Sequence, residues 1–346
     1  MSNLKQMETL LKIIDPQYTD PLTREETISL ERKRTYTEIL KLAEKNGLKF
    51  HILKTLKNLD LPPGVTEIHG HDNEFKRKQL FKSTIQFLNR ISKDNCIDYA
   101  LIKSFDTIEH TPNDIDIFVL PEQRSNLIFA LKQNGMSCQQ SSIAETKLEG
   151  KYMNIDIYTE VCYLNFNFLE GQDLWEARIK KSFLGEKYFG LNPDADYLLL
   201  LPHSLFGHRR MTLLDFLHLK NLQTKIDLEK CRDYAKQQGW GYIFDAMTDL
   251  LNSMYEDIYL NRKVKMFPFY YPKAFIWDNI KHLQNDEIEN KKRLYFELSY
   301  LLEEVMYKCE DTFIYRSIKS FGPAQKIFNS ACSLAKKERG DRKSAE

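Results

Sequence analysis

No stretch of this 346-residue chain runs for 18 or more apolar residues, so a membrane-spanning helix has nowhere to form. The start, Met1-Ser2-Asn3-Leu4-Lys5, lacks the basic-then-apolar order of a secretory leader. An excess of charge is missing too: 50 basic side chains stand against 49 acidic ones, a net charge of +1. That balance excludes a global nucleic-acid coat or membrane-surface protein, and any basic patch must be local. The six cysteines, Cys96, Cys138, Cys162, Cys231, Cys309 and Cys332, lie far apart and form neither a Cys-x-x-Cys pair nor a Cys/His zinc pattern. There is no internal repeat and no low-complexity tract, and the charged stretch from Lys336 to Lys343 reads as a solvated end. These absences predict a cytoplasmic protein with reduced, mostly buried thiols, no disulfides and no membrane partner.

What remains is an ordinary composition on a chain longer than one hydrophobic core usually serves, which implies two or three subdomains. Apolar residues at helical spacing mark Met7 to Ile14, a charged amphipathic segment spans Glu25 to Asn46, and another lies near His51 to Leu59. Leu61-Pro62-Pro63-Gly64 should stop that helix. A long helix is predicted over Asn73 to Ser92. The pattern then turns to strands at Ile97 to Lys103, Ile115 to Leu120 and Tyr152 to Glu160, with a helix over Glu122 to Asn134 that ends at Gly135. Lys187 to Leu191 reads as a further short strand. Helices return after Asn192-Pro193-Asp194, at Ala195 to Leu201, Met211 to Leu222, Leu228 to Gln238 and Tyr242 to Tyr255. A joint rich in proline and aromatics, Met266 to Pro272, precedes two or three more. The predicted class is α+β: a helical region over 1–72, a small mixed-sheet domain over 73–192 and a helical domain over 193–346.

The informative segment is Asn113-Asp114-Ile115-Asp116-Ile117-Phe118-Val119. Side chains alternate along a strand, so Asp114 and Asp116 share one face, roughly 6–7 Å apart, while Ile115, Ile117 and Val119 take the other. Carboxylates on an otherwise apolar strand are costly unless something cationic neutralises them. Asn154-Ile155-Asp156-Ile157 repeats the pattern. If the two strands are neighbours over a shared isoleucine core, Asp156 arrives beside the first pair. Three carboxylates make an oxygen-rich site of the kind Mg²⁺ or Mn²⁺ prefers. A lone Asp-x-Asp in a polar loop is usually turn chemistry, but both of these strands are apolar. Asp98 reads as a strand-end residue, and Glu160 as a strand end that could flank the site.

These residues resemble the nucleotidyltransferase fold of the DNA polymerase β type, and within it the bacterial and archaeal group often labelled uncharacterised nucleotidyltransferase. The resemblance covers roughly residues 75–225. Leu101-Ile102-Lys103-Ser104 stands where the family's first strand ends in Leu-Lys-Gly or Gly-Ser, Asp114-Ile115-Asp116 at its acid pair, and Asn154-Ile155-Asp156-Ile157 at its third acid. Leu174-Trp175-Glu176-Ala177-Arg178, Leu191-Asn192-Pro193-Asp194, Leu198 to His203 and Leu214-Asp215-Phe216 are similar to the region that follows. The resemblance implies that Asp114 and Asp116 hold Mg²⁺ or Mn²⁺ with the phosphates of an NTP such as ATP. Asp156 would bind one metal and help deprotonate the acceptor hydroxyl, and Lys103 and Ser104 would contact the β and γ phosphates. Ser104 departs from the family's glycine, which lets backbone amides approach a triphosphate closely.

His203, His208, Arg209 and Arg210 cluster after the sheet. His203 either faces the triphosphate or is a hydrogen-bonded histidine behind the site. Arg209 or Arg210 suits phosphate better, since a guanidinium stays charged and binds bidentately. Asp215 could orient one of these cations or form a helix-packing salt bridge. Arg178, Lys180 and Lys181 beside Trp175 and Phe183 suit either an RNA acceptor or the packing of an amphipathic helix. Phe267, Phe269, Tyr270, Tyr271, Phe275 and Trp277 read as core or an interdomain seam. The function predicted is transfer of a nucleoside monophosphate from an NTP to an acceptor hydroxyl or phosphate on a small molecule, a tRNA end or a protein. Two other readings stay open: a non-catalytic nucleotide sensor, and a toxin-and-antitoxin type of interaction protein on the same fold.

Overall fold

The repeated Asp-Ile pattern is built as neighbouring strands. β1 (Ala100–Leu101), β2 (Asp114–Phe118), β3 (Ser137–Ser141), β4 (Glu145–Glu149) and β5 (Asn154–Tyr158) form one sheet in the order β1-β2-β5-β4-β3. Only β2 and β5 run parallel; every other pairing is antiparallel. The computed structural model describes residues 3–15, 18, 22, 26, 33–57, 70–103, 112–141, 145–163, 166–261, 263 and 265–281. All of these lie in one compact unit, Met1–Glu287; a second unit, Ile288–Glu346, falls outside the described residues. So do Ser104, the expected stop at Leu61 to Gly64, the later C-terminal helices and the charged end.

The β2/β5 register aligns Ile115 with Ile155 and Ile117 with Ile157, and all four are at most 1% exposed. They pack against the apolar sides of two helices, through Phe81, Ile85 and Leu88 of α4 (Gly70–Asn95) and Leu127 and Leu131 of α5 (Pro121–Gln133). Fully burying one isoleucine contributes about 1.5–3 kcal/mol, so this layer fixes the register that a one-residue slip would invert. Thr84 of α4 accepts a hydrogen bond from the Met153 amide at 3.2 Å, tying the helix to the chain that enters β5.

The helical flanks follow the expected periodicities. α1 (Asn3–Ile14) buries Met7, Leu10, Leu11 and Ile14, one helical stripe. It packs with α2 (Lys33–Lys45) and α3 (Lys49–Lys57). Beyond the sheet come the hairpin of β6 (Val161–Tyr163) and β7 (Phe166–Leu169), the short α6 (Gly171–Glu176), and the hairpin of β8 (Arg178–Phe183) and β9 (Glu186–Leu191). α7 (Pro193–Pro202) starts at an Asn192 cap that accepts from the Ala195 amide at 2.9 Å, with Pro193 in its first turn. It continues into a wider π-type turn, His203–Gly207. The remainder is β10 (Arg210–Met211), α8 (Leu213–Gln223), α9 (Leu228–Gln237), α10 (Gly241–Tyr255), β11 (Phe269–Tyr270) and α11 (Lys273–Lys281).

Four expectations change. The strand expected over Ile97 to Lys103 pairs only at Ala100 and Leu101 plus one further bond, Ile102 amide to Asp116 carbonyl at 3.0 Å. Lys103 then takes a left-handed conformation, φ +54°, which ends it. Asp98 therefore precedes the strand, its amide held by Gln123 at 3.1 Å. Strands β3, at the sheet edge, and β4, between it and β5, are additions to the expected set: both are polar, without an apolar alternation to reveal them. Arg178 to Phe183 is a strand and not a helix face, turned by Leu184 and Gly185, both at positive φ, in a two-residue hairpin loop. Finally, of the four described cysteines only Cys231 is buried, while Cys96 and Cys138 are exposed, so the thiols are not mostly buried there. None of the four is in a disulfide.

Asn46 joins the flanks. Fully buried, it donates to the Phe267 carbonyl at 3.2 Å and the Leu42 carbonyl at 2.9 Å, and its side-chain oxygen accepts from the Leu213 amide at 3.0 Å. Replacing it leaves those buried groups unsatisfied. Asn46→Ala should lower unfolding stability by about 1–3 kcal/mol in urea titration, with no change in slope. An unchanged midpoint would show that the flanks do not depend on this residue.

Candidate active site

The acid-bearing face of the sheet is built by register. Asp116 sits opposite Asp156 across the parallel pair, and Asp156 sits opposite Lys147 of β4. Asp114, two residues before Asp116, shares their face. On its other side, Lys103 reaches Asp116 Oδ1 at 3.3 Å. Lys147 Nζ lies 2.9 Å from Asp156 Oδ2 and 3.3 Å from Glu145 Oε1. The row thus reads lysine, aspartate, aspartate, lysine.

Tyr158 underlies it. Lys103 Nζ lies 4.2 Å from the centre of its ring, and its hydroxyl donates to Glu145 at 2.7 Å. Burial first, and then the charges of Asp116 and Glu145, push the phenol far above its ordinary range, so it keeps the proton it donates to Glu145. The left-handed backbone at Lys103 is unusual for a non-glycine residue, and it turns the chain at the sheet edge where this side chain meets Asp116.

The acids remain under-compensated. Burial pushes the Asp114 carboxyl up and the Asp116 charge adds to it, with Lys103 and Lys147 acting against both. Asp114 makes no ion pair of its own among the described residues. Burial likewise raises Asp156; Lys147 pulls it back, and the charges of Asp116 and Asp114 push again. Burial alone would lower the Lys147 ammonium, but Asp156 and Glu145 outweigh it and its pKa ends above the usual value. With Glu145 beside Lys147, four carboxylates against two lysines leave two negative charges over, and every donor is oxygen, which fits a hard divalent cation. Among the described residues no three of His, Cys, Asp and Glu are gathered as a ready cage, since Asp116 and Asp156 are drawn to the lysines.

The turn after α7 lies close enough to this face for the charge of Lys103 to act on both of its histidines and that of Asp116 on one. His203 Nε2 and His208 Nε2 are 2.9 Å apart, with ring centres at 4.3 Å. A side chain at Gly207 would meet the His203 ring at 2.6 Å, so glycine is needed there for the ring to lie flat on the turn. Burial, then the charges of Lys103 and His208, hold His203 well below 6.5. His208 is largely open to solvent, yet its packed ring is partly desolvated. Burial lowers it, with Arg210 and Lys103 in the same sense and Asp215 and Asp116 opposing. Both imidazoles are therefore neutral near pH 7, one nitrogen donating to the other.

The remaining candidates divide. Arg210 is paired in β10 with Tyr270, and Arg209, at φ +54°, accepts from the Tyr271 amide through its carbonyl at 3.4 Å. Asp215 faces the charges of His208 and Arg210, and it has a structural role that was not among the expectations. It closes a capping box at the start of α8, accepting from the Thr212 amide at 2.9 Å and hydroxyl at 2.7 Å. The expected basic patch splits: Lys181 pairs with Asp196 at 3.0 Å, while the Arg178 guanidinium lies 3.2 Å over Trp175. Phe183 packs edge-on against Phe81. Phe267 and Tyr271 are buried, as expected of a core or seam, while Tyr270 is 62% exposed. The side chain of Trp277 lies outside the described residues. Lys147, Glu145 and Tyr158 were missed, and two of them sit on the polar strand that left no apolar signal.

Neither a protein-family model nor a curated protein matches the sequence. Among solved structures, one similar chain is the lincosamide antibiotic adenylyltransferase LnuA with lincomycin bound. It has 16% identity and a TM-score of 0.31, over 41% of this chain and 96% of that one. A likeness that loose fixes neither activity nor substrate here. No helix among the described residues is long and apolar enough to cross a membrane.

The raised Asp114 carboxyl gives a stability test with a defined sign. Its ionised form is penalised in the folded protein alone, so Asp114→Asn should raise the melting temperature at pH 7 (about 2–4 °C per kcal/mol relieved in domains of 150–250 residues). The gain should shrink as the pH falls through the raised native value and be gone below 3.8, where both states are protonated. Calorimetry across pH checks it, and a lower melting temperature at pH 7 would refute the electrostatic account.

Proposed function

We propose that this chain is a metal-dependent nucleotidyltransferase that moves a nucleoside monophosphate from an NTP to an acceptor hydroxyl or phosphate. The observation that carries the reading is the in-register pair Asp116 and Asp156, with Asp114 on the same face and lysines at both ends. Like charges held side by side by packing on the opposite face of the sheet are a liability for folding alone. Their use is to concentrate cationic ligands.

Asp114, Asp116 and Asp156 would hold Mg²⁺ or Mn²⁺, which when bound neutralises phosphate charge and polarises the phosphorus under attack. Lys103 is placed to meet triphosphate oxygens as a point charge. Asp156, made more basic by burial, takes the proton of the acceptor hydroxyl as its oxygen bonds to the α-phosphorus. The bond from that phosphorus to the bridging β oxygen breaks, and pyrophosphate leaves. The neutral His203 and His208 lie near enough to feel Lys103, and they add hydrogen-bonding capacity without charge beside the acids.

The test incubates the purified protein with each of four α-labelled NTPs, Mg²⁺ or Mn²⁺, and small-molecule, RNA and protein acceptors. Label transfer with pyrophosphate release is expected, and Asp116→Ala should reduce it about 10³-fold. Full transfer by Asp116→Ala would sink the assignment. Metal-dependent NTP binding without release would favour a nucleotide sensor.

A further inference from the structure

The two lysines at the ends of the charge row are not equivalent. Lys103 is fixed: its side chain is 9% exposed, its backbone is left-handed, and its ammonium rests on the Tyr158 ring. Lys147 is at the rim, 42% exposed, while the carboxylate it holds, Asp156, is 6% exposed. It also has a second carboxylate within reach, Glu145 at 3.3 Å, which Tyr158 clamps in place. An ammonium that leaves Asp156 would therefore enter neither an apolar environment nor a region without counter-charge. It has three donors and can hold Glu145 and a phosphate oxygen together.

We propose that Lys147 is the resident counter-ion of Asp156 and exchanges that carboxylate for a nucleotide phosphate when a divalent ion enters, making ion and nucleotide binding interdependent. This rests on the nucleotidyl-transfer reading above. An ion that arrives alone has to displace the ammonium from Asp156 and gives it no anion in return. A nucleotide that arrives alone adds triphosphate charge beside an acid face. Arriving together, the ion takes the carboxylates and the phosphate takes the lysine, so each ligand raises the affinity of the other by the same factor.

The experiment measures Mn²⁺ binding by electron paramagnetic resonance, with and without α,β-methylene-ATP, in the wild type, Lys147→Met and Lys147→Gln. Thermal melting in chelator checks that each variant folds. In the wild type, the nucleotide analogue should tighten Mn²⁺ binding about tenfold or more. In Lys147→Met, Mn²⁺ alone should bind about tenfold tighter than in the wild type, since no ammonium must be displaced, and the analogue should add much less. Lys147→Gln should behave the same way, so that one poorly folding variant leaves the other to decide. Equal or weaker Mn²⁺ binding in the variants, with the nucleotide effect intact, would overturn the exchange and leave nucleotidyl transfer standing. Absence of both Mn²⁺ and nucleotide binding from all three proteins would overturn both.

Discussion

The parallel pairing of β2 with β5 is the constraint on which the rest depends. One register places four isoleucines against the helices and, by the alternation of a strand, three aspartates on the opposite side. The two outcomes cannot be separated: moving either strand by one residue would bury carboxylates against Ile85 and Leu131 and turn isoleucine to the opposite face of the sheet. Hydrophobic burial on one face therefore supplies the force that holds like charges together on the other. Asp114 and Asp156 bear the cost as raised carboxyl pKa values.

Around that pair, the chain supplies positive charge from elements of different rigidity. Lys103 comes from a strand end locked by a left-handed residue, Lys147 from the polar strand β4, and the histidines from a turn after α7. The turn is kept in place by packing behind it, where Ser204 bonds the Tyr271 hydroxyl at 2.9 Å and Asn46 holds the start of α8. The N-terminal and C-terminal helices thus act on the acid face indirectly, by fixing the turn that carries the histidines. The charges nearest the site belong to strands and turns whose backbones are set by that packing.

How much of this the sequence disclosed follows from where its apolar residues lie. Asp114, Asp116 and Asp156 stand out because isoleucine alternates with them, and their adjacency was expected from the shared pattern. The helices with clear stripes, such as Met7 to Ile14, were equally legible. Strands β3 and β4 were not, because Ser-Cys-Gln-Gln-Ser and Glu-Thr-Lys-Leu-Glu carry too few apolar residues to set a period. Lys147 and Glu145 disappeared from view with them. β9 is the short strand expected over Lys187 to Leu191, and its partner β8 left a trace in Leu184-Gly185, a turn between two strand-length runs, obscured because Arg178, Lys180 and Lys181 also suit a helix face. The left-handed Lys103 and the capping use of Asp215 are matters of backbone conformation that residue type alone does not disclose.

The central claim is that Asp116 and Asp156 are a ligand pair for a divalent ion and not a structural charge cluster. Crystals grown with Mn²⁺ and a non-hydrolysable NTP, measured for anomalous scattering from manganese, test it most directly. The account predicts a manganese peak between the two carboxylates, with the triphosphate beside it and Lys147 turned away from Asp156. A bound nucleotide with no manganese at these carboxylates, both lysines still holding them, would contradict it.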